Sequence, residues 1–148
     1  MKRRLVAFLL AGSAVLFAEE GKFEKSIAIP HGGEEKVGFS RDGCSVLSVT
    51  LRNFPSNEDI EKARAKDPGD KSWVWWDFHV ENRGSVECKV SLWVDIYGKD
   101  GHVVKSGDRS GTVDAGKLDD NIRMSTRMRT LDIADSPKAT IRAQIGRK

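Results

Sequence analysis

Apolar and polar residues alternate along most of the chain from Ser72 onward. Val74, Trp76, Phe78 and Val80 fall at every second position, with Asp77, His79 and Glu81 between them. Val90, Leu92, Val94 and Ile96 repeat the pattern against Lys89, Ser91 and Asp95. A period of two is the signature of a strand with one buried face. The intervening Asn82-Arg83-Gly84-Ser85 is a turn cluster, which predicts that these two strands form an antiparallel hairpin. Gly98-Lys99-Asp100-Gly101 is a second turn, leading into His102-Val103-Val104. Further strands are predicted at 111–113, at 121–129 with Ile122, Met124 and Met128 inward, and at 139–145; upstream they fall at 26–29, 36–39 and 45–51. About eight or nine short strands separated by turns imply an all-β antiparallel sandwich.

One segment breaks the alternation. Residues 56–66 begin with Ser56, Asn57, Glu58 and Asp59 and end with Lys62, Arg64 and Lys66, before Asp67-Pro68-Gly69-Asp70. Cap-type residues and acids first, bases last and a Pro-Gly stop suit a short helix and its dipole. Its low apolar content predicts a solvated surface helix inserted between two strands.

Three motifs carry a resemblance. Trp76-Asp77-Phe78-His79-Val80-Glu81-Asn82, then the apolar run 90–97, then Asp100-Gly101-His102-Val103-Val104, resemble the FxLYD-type family of immunoglobulin-like bacterial extracytoplasmic domains over about residues 74–130. In that family an x-V-x-N strand precedes an apolar strand with a Tyr-Asp-like corner and a D-G-x-V-V hairpin. Here Gly98 stands where the family favours Asp, and Ala115-Gly116 where it favours Pro-Gly. The resemblance implies an immunoglobulin-like sandwich and brings no catalytic residues with it.

The N-terminus changes what the composition means. Met1-Lys2-Arg3-Arg4 precedes fourteen uncharged residues, 5–18, the pattern of a secretory signal peptide and too short a run for an ordinary membrane span. The expectation is a signal peptide at 1–18 with cleavage after Ala18, then one domain at 19–148 with no integral span, periplasmic or secreted. The chain's formal charge of +3 then belongs entirely to the leader, since residues 19–148 hold 22 bases and 22 acids. A neutral mature chain removes the bulk argument for nucleic-acid binding. Charge is nonetheless uneven, with 16 acids and 12 bases in 19–100 against 6 acids and 10 bases in 101–148. The two cysteines, Cys44 and Cys88, lie outside any CxxC pair. In an exported protein they are expected to form a disulfide.

Candidate chemistry is sparse. His31, His79 and His102 lack the spacings of a metal site, and no G-x-S-x-G elbow or phosphate loop occurs. Asp77 and His79 share a strand face, and Asp119-Asp120 and Asp132/Asp135 are paired acids, all better read as solvated polar positions. No catalytic residue, metal or cofactor is expected. The aromatics are more informative. If Trp76 and Phe78 face inward, Trp73 and Trp75 point outward, as do Trp93 and Tyr97 on the following strand. A hairpin centred on Gly84 would set Trp75 opposite Trp93 and gather all four on one sheet surface. That surface is either covered by the 56–66 helix or an N-terminal strand, or exposed as a binding face. Arg123, Arg127 and Arg129 form an outward basic stripe, either a solvated edge guarded against strand pairing or a contact for an anionic lipid, polysaccharide or acidic protein. The function expected is a non-enzymatic interaction module of the cell envelope, binding a protein through the aromatic face or an edge strand. The alternative is a module that stacks a cell-surface glycan on Trp75, Trp93 and Tyr97.

Overall fold

In the computed structural model, which describes residues 7–10, 13–16 and 21–147, the alternating segments are strands of a two-sheet sandwich. Sheet I has the order β1 (Lys22–Ala28), β8 (Lys138–Arg147), β5 (Cys88–Tyr97), β6 (Val103–Val113). Sheet II has the order β2 (Glu34–Arg41), β3 (Cys44–Arg52), β4 (Lys71–Asn82), β7 (Asp120–Arg129). All pairings are antiparallel. The core lies between the sheets and takes the residues that alternation marks as inward: Val74, Trp76, Phe78 and Val80 from β4, Val90, Leu92, Val94 and Ile96 from β5, and Ile122, Met124 and Met128 from β7. Burying a large apolar side chain stabilises by about 1.5–3 kcal/mol, so these faces fix the orientation of every strand.

The expected hairpin of the two Trp-bearing strands does not form. β4 pairs with β3 and β7, whereas β5 pairs with β8 and β6. Residues 83–87 therefore carry the chain from one sheet to the other. The buried Asn82 side chain satisfies the backbone of this corner locally. Its Nδ2 donates to the carbonyls of Val86 (2.8 Å) and Val113 (3.0 Å), and its Oδ1 accepts from the Gly84 amide (2.9 Å). The corner also packs tightly against the β2–β3 turn. Gly43, at φ +83°, leaves room for Gly84, whose amide nitrogen would lie 2.9 Å from a Cβ at position 43. The expected Cys44–Cys88 disulfide is present and ties β3 in sheet II to β5 in sheet I.

Two further departures concern extent. The strand expected at 111–113 is the end of the longer β6. Its Gly107 and Gly111 bring backbone close against Met124, Thr126 and Ile122 of β7, where a Cβ would crowd those side chains, a role that weak alternation hides. The inserted helix is α1 (Asn57–Ala65), capped by Ser56, whose hydroxyl accepts from the Asp59 amide. It does not cover the outward aromatics. It packs against a second short helix, α2 (Thr130–Asp135), held by an Arg64–Asp135 ion pair.

Within the stretch expected to be a signal peptide, Ala7–Leu10 and Ser13–Leu16 pair antiparallel with each other, and the second pairs with β1 in register at Leu16 and Glu24. The proposed cleavage point at Ala18 lies outside the described residues. No helix among the described residues is long and apolar enough to cross a membrane.

Candidate functional site

The outer face of sheet II collects the charged and aromatic residues that alternation sends outward. β4 and β7 pair without a bulge, and Lys71 lies opposite Arg129, Trp73 opposite Arg127, Trp75 opposite Ser125, and Asp77 opposite Arg123. On the other side of β4, Arg52 of β3 lies opposite Trp75. The outward positions from Lys71 to Asp77 and from Arg123 to Arg129, with Arg52, thus hold five cations and one acid.

That acid organises the patch. Asp77 is only 6% exposed although it is on the outer face, because two guanidinium groups lie over it. Arg52 Nε donates to its Oδ2 at 2.5 Å, and Arg123 donates from Nε at 2.6 Å and from Nη2 at 3.0 Å. Held this way, the Arg123 guanidinium sits 4.7 Å from the Trp75 ring centroid, a cation–π contact. The hydrogen bond from Arg123, reinforced by Arg52, holds the Asp77 carboxyl below the usual carboxylate range against the opposing effect of burial. A carboxyl with a depressed folded-state pKa stabilises the fold above its unfolded pKa, and that contribution disappears as pH falls through the folded value. Asp77→Asn is therefore expected to cost roughly 1–2 kcal/mol at neutral pH, a modest figure because both arginines are half in solvent. The deficit relative to wild type should vanish in strongly acidic buffer. Denaturant melts at the two pH values check this, and a deficit independent of pH would assign the loss to packing.

Trp73, two residues before Trp75 on the same face, is 52% exposed. Its carbonyl accepts from Asn53 Nδ2 at 2.7 Å, which anchors its strand to the end of β3. Arg129 is turned toward the Pro68 carbonyl (3.2 Å). Arg127, beside Trp73, is exposed and engages no acid among the described residues. The basic stripe predicted at Arg123, Arg127 and Arg129 is thus outward on β7, the last strand of its sheet.

Trp93 and Tyr97 are elsewhere. Because β5 belongs to sheet I, they face outward on the opposite side of the sandwich from Trp73 and Trp75. Trp93 lies between Arg142 of β8 and Asp108 of β6, and it has no register with Trp75. Lys138 Nζ sits 5.3 Å from the Tyr97 ring centroid. The single surface of four aromatics is therefore corrected to two separate pairs, each with one ring beneath a cation. Arg52 and the buried Asp77 are the members that sequence reasoning missed as a centre. Only the register across three strands brings Arg52, Asp77 and Arg123 together.

Of the polar pairs weighed for chemistry, Asp77 and Asp135 are engaged by arginines. Asp77 gives both oxygens to guanidinium groups, and His79 Nε2 lies 3.1 Å from Asp119. Asp135 is bound to Arg64, which holds its carboxyl below the ordinary range. Among the described residues no three His, Cys, Asp or Glu side chains converge. Compared with known proteins, the chain matches no family model, and no curated protein matches it closely enough to be a relative.

Proposed function

We propose that the mature chain, residues 19–148, is an exported non-enzymatic interaction module of the cell envelope that takes a protein partner on the outer face of sheet II. The observation that carries this reading is Trp73, half in solvent on a bulge-free strand pair and directly opposite Arg127, which engages no acid among the described residues. Trp and Arg are the residue types that most often dominate binding energy at protein interfaces, especially when their strands hold them rigid. The disulfide accords with an oxidising compartment, periplasmic or secreted, and the uncharged run at 5–18 supplies the export signal. The glycan reading needs a coplanar row of Trp75, Trp93 and Tyr97. With those rings on two faces, it has no such platform.

Trp73→Ala is expected to weaken binding of the partner at least tenfold, about 1.4 kcal/mol, while moving the thermal midpoint little. The partner is captured from envelope extract, identified by mass spectrometry, purified, and titrated against wild type and variant. Undiminished affinity would remove this face from the function.

A further inference from the structure

We infer that the open edge of β7 accepts an acidic, extended segment of the partner as an added strand of sheet II. This rests on the interaction-module reading and specifies the partner's chemistry. β7 is paired only with β4, and no strand among the described residues pairs with its other edge. β6 comes close to β7 without pairing with it, and its Gly107 and Gly111 meet the Met124, Thr126 and Ile122 side chains on the core face. Of the two edges of sheet II, β2 is broken by an irregularity between Lys36 and Phe39, whereas β7 runs in continuous register for its ten residues. Bulges blunt an edge, and a straight one is a template for strand addition.

The charge on that edge selects the occupant. Arg123, Arg127 and Arg129 stand outward on β7 at multiples of two residues, and no acid stands outward between Arg123 and Arg129. Side chains two apart on an extended chain repeat at roughly 6.6 Å. A strand laid alongside with acids at alternate positions therefore meets Arg127, which engages no acid among the described residues, and the flanking Arg129, while Arg123 stays committed to Asp77. A second copy of β7 would instead set arginine against arginine. The same residues that admit an acidic strand thus reject self-association, which is how an edge gains specificity by repulsion.

The test uses a ten-residue peptide with glutamate at every second position and threonine between, titrated calorimetrically into the wild-type domain at low and high salt. Binding is expected at low salt, with amide shifts confined mainly to β7, and it should weaken with added salt. Arg127→Glu combined with Arg129→Glu should raise the dissociation constant at least tenfold, and Arg127→Gln should raise it less. Thermal melts of these variants show that each is folded. N-methylation of alternate peptide amides on the pairing side should abolish binding. Absence of binding, or binding indifferent to N-methylation or charge reversal, overturns the inference. Tighter binding of polygalacturonate than of the peptide overturns it in favour of an anionic glycan. If the peptide fails while Trp73→Ala still weakens the purified partner, the module reading stands and strand addition falls.

Discussion

Replacing both bridged cysteines, Cys44→Ala with Cys88→Ala, is expected to lower the stability of the oxidised domain by about 3–4 kcal/mol. The bridge joins residues 44 apart in sequence, and closing a loop of that length in the unfolded chain accounts for a figure of this size. Both cysteines are buried, and alanine leaves no orphaned polar group behind, so the effect isolates the cross-link and two small lost side chains. The unfolding midpoint should fall by about 10–15 °C for a domain of this length. Wild type treated with reductant should approach the double variant, and the variant should be indifferent to reductant. A loss below about 1 kcal/mol would mean that sheet contacts alone already confine the loop. The bridge also makes stability depend on compartment. It contributes only where thiols oxidise, so the same chain retained in a reducing interior would be markedly weaker.

Period two tells which way each side chain faces and is silent about which strand lies alongside. Every inward residue of β4, β5 and β7 named from alternation is in the core, because burial of Trp76, Leu92 or Met124 depends only on the face presented. Sheet membership depends on longer-range bonds. The five residues between β4 and β5 have hairpin length and turn composition, yet the chain changes sheets there. Splitting the strands between sheets in turn separates Trp75 from Trp93 and dissolves the predicted aromatic surface. The basic stripe remained legible because it lies within one strand. The Asp77 cluster did not, because Arg52, Asp77 and Arg123 come from three strands whose register no local pattern sets. The pair Cys44 and Cys88 held part of the answer. A bridge from the start of β5 to β3, the neighbour of β4, spans the core when β5 faces β4 across it.

The largest single-residue effect away from the bridge is expected at Asn82, the residue that turns the chain between sheets. Asn82 is 1% exposed, and its amide makes two donor bonds and one acceptor bond while its own backbone amide donates to the Lys117 carbonyl at 2.7 Å. Asn82→Ala removes three bonds and leaves the Val86 and Val113 carbonyls without these donors, one of them buried with its bond. At about 1 kcal/mol per bond, with a further penalty for unmet buried groups, the loss is about 3 kcal/mol. Asn82→Asp separates hydrogen bonding from shape. The substituted carboxyl keeps the acceptor for the Gly84 amide but, when ionised, presents negative charge to two carbonyl oxygens. Burial and those oxygens both favour its neutral form, so its folded pKa lies above the unfolded value. A carboxyl raised in this way destabilises most above its folded pKa and recovers as pH falls through it. At neutral pH Asn82→Asp should thus be at least as damaging as Asn82→Ala, and in mildly acidic buffer it should regain part of the loss while the alanine variant does not. Chemical denaturation across pH reads both curves. Parallel curves for the two variants would show that the corner is held by the Gly43–Gly84 contact and the bridge rather than by the Asn82 amide.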